Sequence, residues 1–334
     1  MASRVAAAAA VLALSSAGVA AKAADQPGAS IPARSPEPAP DTEACDPAPP
    51  PVSMRSATLW DAQPALIAKC LALVPAHAAD HPNVYTVAIA PLGTQTLFSR
   101  EARLALQRLA ANYGGTAKRG ILLSNSTVDI MKVPLATQAN IAQVLGAIGQ
   151  RTAASPDDLL IVYLASHGRP DAALASALPD NIPIIAISAD SLGEALDQAN
   201  IRRRIIIISA CFAGSWIPRL ANDDTIVITA ARADRTSFGC DDTRPLTYFG
   251  EAFLNGPLSR GASLAESFDG ARKTVTQWET EQKLLNSEPQ VYVGKNMLPL
   301  WQTTAPGAVT IASAAGAKPV TATARRSKTA AKQP

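Results

Sequence analysis

Two apolar runs in this chain end in reactive side chains, and that pairing restricts its fold more than any other feature. Leu159-Leu160-Ile161-Val162-Tyr163-Leu164-Ala165 leads into Ser166-His167-Gly168, and Ile205-Ile206-Ile207-Ile208 leads into Ser209-Ala210-Cys211. Short, unbroken aliphatic runs rich in β-branched residues suit strands buried on both faces, as in parallel sheets covered by helices. In open α/β sheets the groups that carry chemistry gather beyond the carboxyl ends of the strands. Two strands ending in His and Cys would bring an imidazole and a thiol to one rim. That pair is the minimum equipment of a cysteine peptidase.

The rest of the central span fits the same architecture. Residues 64–73 read as a helix with Pro64 in its first turn, where a missing N–H does no harm. Residues 84–90 alternate as a strand, and 99–113 form a helix with Leu104, Leu106 and Leu109 in register, stopped by Gly114-Gly115. A strand at 121–123 follows. A helix at 138–148 comes next, its apolar Ile141, Val144, Leu145 and Ile148 spaced for one face. After the His-bearing run we expect a short strand at 182–187, a helix at 191–200, the Cys-bearing strand and a strand at 225–229. Helices at 247–254 and 263–284 and a last strand at 290–293 complete the domain. Alternating strands and helices predict an α/β, three-layer fold with a mostly parallel central sheet flanked by helices. Residues 57–301 are long enough to form it as one domain.

The ends read differently. Residues 1–23 have the form of a signal peptide: Arg4, an apolar stretch from Val5 to Leu14, then Ala21-Lys22-Ala23 as a small-x-small cleavage pattern. Residues 24–56 are a Pro-rich tether, with nine prolines between Gln26 and Pro51. Residues 302–334 are a basic tail without acidic residues. Its Lys318, Arg325, Arg326, Lys328 and Lys332 account for the formal +3, since the remainder of the chain carries −2. The basicity therefore belongs to the tail and gives no reason to expect nucleic-acid binding. The tail is expected to be a disordered, solubilising end, or to make loose contact with an anionic envelope surface. No run reaches the roughly 20 apolar residues of a membrane helix. The expectation is an exported protein, periplasmic or secreted, without a membrane span.

Four cysteines in an exported chain invite a disulfide. A nucleophilic Cys211 must stay reduced. Cys45 and Cys70, which flank the tether and the first helix, are the expected pair, and Cys240 is expected as a buried thiol. His77 and His81 stand four apart, a possible metal pair. Pro75 and Pro82 bracket them and no third ligand presents itself, so a surface loop is preferred and no metal is expected. Arg202-Arg203-Arg204 reads as a solvated strand entry. Trp216 fits either a cleft wall or the core. The chain has no phosphate-binding G-x-x-x-x-G-K-[ST], no G-x-G-x-x-G and no G-x-S-x-G elbow, and we expect no cofactor.

The combination of His-Gly after one strand and Ala-Cys after the next resembles the legumain family of cysteine peptidases, relatives of the caspases, and its bacterial exported members in particular. Gly214-Ser215 after the cysteine, Thr229-Ala230-Ala231, Arg235-Thr236-Ser237-Phe238-Gly239-Cys240 and Thr247-Tyr248-Phe249-Gly250 continue the match. The resemblance spans about residues 83–300. It implies a caspase-like fold and a peptide or protein substrate cut after a restricted P1 residue. It makes Cys211 the nucleophile and His167 the general acid/base, set at some distance from the sulfur. The backbone N–H groups of Gly168 and Cys211 become the oxyanion donors. For the P1 pocket it points to Arg100, Ser209, Ser237 and Glu251. Ser209 stands where legumain carries an acid, and Arg100 is one residue out of register. The asparagine that supports the histidine in legumain has no counterpart around Leu97 and Phe98. Transpeptidation on the same fold, or a catalytically silent envelope-binding module, are the alternatives.

Overall fold

In a computed structural model, the described residues are 56–303 apart from 76, 79–80, 114–119 and 154. The expected signal peptide, most of the tether and nearly all of the basic tail lie outside them. In chain order the elements are α1 (Ser56–Asp61), α2 (Gln63–Leu73), β1 (Val84–Ala90), α3 (Leu97–Asn112), β2 (Gly120–Ser124), α4 (Gln138–Thr152) and β3 (Leu159–Ala165). A short excursion follows: β4 (Gly168–Arg169), β5 (Ala173–Leu174), β6 (Ala177–Leu178), β7 (Ile182–Pro183) and β8 (Ile187–Ser188). Then come α5 (Ala189–Gln198), β9 (Arg203–Ser209), α6 (Ile217–Leu220), β10 (Thr225–Thr229), α7 (Tyr248–Leu254), α8 (Leu264–Glu281), β11 (Gln290–Val293) and α9 (Leu298–Gln302).

The main sheet has six strands in the order β11-β10-β9-β3-β1-β2. All its neighbours pair parallel except β10 and β11, so the expected mostly parallel α/β sheet is what forms. Every residue of β1, β2, β3 and β10 is buried, which is why their sequences carry aliphatic residues on both faces. β3 and β9 lie side by side in the middle of the sheet. Helix α4 starts on Thr137, whose side chain accepts the Asn140 N–H, and α8 starts on a reciprocal cap between Ser263 and Glu266.

Three expectations change. The segment at 182–187 is not one strand of the main sheet. Its two ends pair separately, Ile182–Pro183 with β6 and Ile187–Ser188 with β5, and Ile185 between them is exposed. Pro183 supplies no N–H to a ladder, so a continuous strand there is disfavoured. Secondly, the three arginines at the entry to β9 are not all solvated. Arg204 is buried, with its Nε donating to the Ile201 carbonyl and Nη1 to Asp197 (3.2 Å), while Arg202 and Arg203 face Asp224 and Asp157. Thirdly, Cys240 is half-buried, not enclosed.

Trp216 settles in the core, fully buried. Cys70 is buried and disulfide-bonded, Cys211 and Cys240 are free, and Cys45 lies outside the described residues. His77 turns its Nδ1 to the buried Asp158 carboxylate (3.0 Å), which also accepts the Asn83 N–H (2.7 Å). Among the described residues no group of three or more His, Cys, Asp or Glu side chains could hold a metal ion.

Candidate active site

The register of the two central strands fixes where the reactive residues emerge. Ala165 of β3 pairs with Ser209 of β9, and just beyond that rung the Ser166 N–H donates to the Ser209 carbonyl (3.3 Å). His167 and Cys211 are therefore each the second residue past the same rung, on strands about 4.8 Å apart. Gly168 then lies directly on the Cys211 main chain. A Cβ at position 168 would stand 2.8 Å from the Cys211 carbonyl carbon and 3.0 Å from its nitrogen, and would overlap its oxygen. Only glycine allows that approach.

After Cys211 the backbone turns sharply. Phe212 adopts a left-handed conformation (φ 55°), a costly one for a residue with a Cβ. Hydrogen bonds hold it there: its N–H donates to Arg235 O (2.7 Å), and its carbonyl accepts from the Ser215 N–H (3.0 Å) and hydroxyl (2.6 Å). The Cys211 N–H itself meets no acceptor among the described residues, so it is available to a substrate oxygen.

The sulfur is surrounded by donors from a remote segment. The Ser237 N–H points at Cys211 Sγ (3.3 Å) and the Ser237 hydroxyl lies 3.6 Å from it. Gly239, at φ 75°, turns the chain so that Cys240 returns to the same place. The neighbouring Cys240 thiol is the first of the groups that hold the Cys211 thiol well below its ordinary value of 9.0, against the opposing effect of burial, and Ser237 and His167 add to the pull. Cys240 moves the other way, upward, because the neighbouring Cys211 takes the negative charge and because it is partly shielded from solvent. Both shifts favour ionisation at Cys211 over Cys240.

His167 packs edge-on against Phe98 of α3, with ring centroids 5.0 Å apart and planes at 80°. Its carbonyl accepts the Ala175 N–H (2.8 Å), tying it to the excursion that begins at β4. Burial holds the imidazole below its ordinary 6.5, and the charge on Cys211 only partly offsets this. The support of the ring is thus the edge of a buried phenyl group.

The remaining expected residues lie on α3, on β9, on α7 and in the stretch between β10 and α7. Ser237 touches the sulfur, as described. Ser209 is buried, and its hydroxyl is 3.1 Å from that of Thr247, at the start of α7. Arg100 is exposed on α3, with Nη2 donating to the Arg244 carbonyl (2.8 Å) and an ion pair to Asp242 (3.8 Å). Asp242 also accepts the N–H groups of Thr96 (3.0 Å) and Leu97 (2.7 Å), so this loop is fastened to the first turn of α3. Arg100 therefore anchors the loop that follows Cys240, and its contacts do not include Cys211 or His167. Glu251 accepts from Asn255 on its own helix (3.2 Å) and likewise lies outside the Cys211 contacts.

One residue at the site was not singled out from the sequence. Glu101 of α3 is fully buried and accepts from Tyr163 of β3 and from the Thr247 N–H, both at 2.8 Å. The signal was present: Glu101 stands in helical register with the apolar Leu97, Phe98 and Ala105, on the face that meets the sheet.

No curated protein matches the chain significantly in sequence. Among solved structures, one described as "structure of pro-sf-caspase-1" aligns over 66% of this chain and 95% of that one, with a TM-score of 0.42 and 12% identity. The model of the peptidase C13 family matches residues 129–300, just over half of the 334 residues and a span that includes His167, Cys211, Ser237 and Cys240. On that match the chain belongs to the peptidase C13 family, the legumain family of cysteine peptidases.

Proposed function

We propose that the chain is an exported cysteine endopeptidase that works through a Cys211/His167 dyad and an acyl-enzyme. The observation that carries this reading is the common rung of β3 and β9, from which both side chains emerge, with Gly168 seated on the Cys211 main chain. The Cys211 thiolate adds to the scissile carbonyl carbon and the electron pair moves to its oxygen. The unsatisfied Cys211 N–H and the Gly168 N–H receive that oxyanion. Removing one such donor costs roughly 2.7–4 kcal/mol of transition-state stabilisation in other hydrolases. As the intermediate collapses, the C–N bond breaks and the His167 imidazolium gives its proton to the departing amine. The neutral imidazole then takes a proton from water, whose oxygen attacks the thioester and releases the acid and Cys211. Ser237 and the loop from Cys240 to Leu246 supply a wall of the P1 pocket, and Ser209 lies beneath it.

The test offers fluorogenic peptides with Asn, Asp or a basic residue at P1 to the wild type and to Cys211→Ala. We expect turnover of at least one series by the wild type and none by the variant. Turnover that survives the substitution would refute the reading.

A further inference from the structure

Glu101 is a carboxyl group without exposure to solvent, yet donors meet both of its oxygens. Tyr163 Oη and the Thr247 N–H donate to its two oxygens, each at 2.8 Å, and the Ser209 hydroxyl lies 3.1 Å from that of Thr247, one step further out. The Thr247 N–H is an obligatory donor and needs an acceptor oxygen on Glu101, whereas the Tyr163 hydroxyl can both donate and accept. Burial pushes the group above the ordinary carboxyl range, and the hydrogen bonds oppose that.

Tyr163, Ser209 and Thr247 belong to three separate parts of the fold. Tyr163 lies on β3, four residues before His167. Ser209 is the last residue of β9, two before Cys211. Thr247 caps α7, its hydroxyl accepting the Gly250 N–H (2.8 Å). Gly250 packs so closely on Glu101 that a Cβ there would overlap the carboxylate. Glu101 itself is three residues from Phe98, which supports His167.

We propose that Glu101 is a positioning residue of this site, a buried hub that fixes the end of β9, and with it Cys211, against β3 and α7. The inference deepens the peptidase reading and rests on Cys211 being its nucleophile. Loosening that strand end would carry Cys211 away from the Ser237 N–H that faces its sulfur, so the reactivity of the sulfur reports on the hub.

Glu101→Gln preserves the volume, removes the charge and sets an amide NH2 or a poorer acceptor against the Thr247 N–H. The experiment compares full-length wild type and variant for thermal melting, for kcat and KM on the best P1 peptide, and for the rates at which iodoacetamide labels Cys211 and Cys240, read by peptide mass spectrometry. We expect a folded variant with kcat lowered about tenfold or more, KM within about twofold, and a Cys211-to-Cys240 labelling ratio lowered severalfold. A folded variant with wild-type kcat and labelling ratio would overturn the proposal. Should Glu101→Gln fail to fold, Tyr163→Phe removes one donor and leaves the charge: kcat reduced severalfold at constant KM supports the hub, and unchanged kcat overturns it. The labelling ratio needs no peptide turnover, so failure of the hub is distinguishable from failure of the peptidase reading, which would appear as an inactive wild type.

Discussion

Gly168→Ala tests the geometry most directly, because its effect can be worked from a single contact. Ordinary van der Waals contact begins near 3.4 Å, whereas the new methyl group would stand 2.8 Å from the Cys211 carbonyl carbon and closer still to its oxygen. The carbon alone demands a shift of about 0.6 Å, and the oxygen demands more, so β4 must move off Cys211 by an appreciable fraction of an ångström or beyond. This displaces the residue 168 N–H from the oxyanion position and drags on His167 next to it. A misplacement of about 1 Å can cost on the order of 10²-fold in rate. Losing one oxyanion donor, roughly 2.7–4 kcal/mol, gives a similar or larger figure. We therefore expect kcat to fall about 10²- to 10³-fold. KM should change little, because the donor acts on charge that develops only in the transition state. Iodoacetamide labelling of Cys211 should continue at a rate near that of the wild type, since Ser237 and Cys240 still surround the sulfur. The assay pairs initial rates on a P1-matched peptide with the labelling rate at the same pH. Turnover within about threefold of wild type would refute the placement of Gly168 at the oxyanion site.

Two further outcomes follow from the electrostatics. If acylation needs the Cys211 thiolate and the His167 imidazolium together, kcat/KM should be bell-shaped in pH. Its rising limb should lie well below 9.0, where Cys240 and Ser237 hold the thiol down, and its falling limb below 6.5, where burial strips His167 of its proton. A falling limb above 6.5 would contradict the burial argument. Cys240→Ala deletes the main donor to the thiolate. A hydrogen bond to a charged group contributes about 1.5–3 kcal/mol, so the pH midpoint for alkylation of Cys211 should rise by about one unit or more. An unmoved midpoint would show that Cys240 does not set the ionisation.

How much of this could be read from the sequence depends on the range of the interactions involved. The bounds of β1, β3, β10 and β11 are those expected, since each is an aliphatic or β-branched run whose character is local. The β4 to β8 excursion was illegible because its pairings are two residues long and leave no periodicity to detect. His167 and Cys211 were legible because a strand end is itself a position with chemical meaning. The support for His167 was not: Phe98 reads as one more apolar position of α3, and only the packing of that helix on β3 turns its ring toward the imidazole. Arg100 reads as a pocket residue by its segment, and its contacts with Arg244 and Asp242 depend on how the loop after Cys240 folds back on α3, which leaves no local signature in the sequence.

The thiolate is the furthest from local reading, and the reason is physical. Its donors come from Ser237 and Cys240, in a stretch between β10 and α7 that contains no regular element to predict. That stretch is held by long-range bonds: Phe212 N–H to Arg235 O, Gly214 N–H to Ala231 O (2.9 Å), Tyr248 N–H to Phe238 O (3.1 Å), and Asp242 on the start of α3. The groups that lower the Cys211 thiol thus sit on a loop whose path is set by β9, α3 and α7 together. Any substitution that loosens one of these ties, even far from the sulfur, should raise the pH at which Cys211 becomes reactive before it lowers the melting temperature, because local opening costs less than global unfolding. Among those ties Asp242→Asn is the mildest. It keeps the side chain's shape and an acceptor for the Leu97 N–H, while removing the charge that meets Arg100.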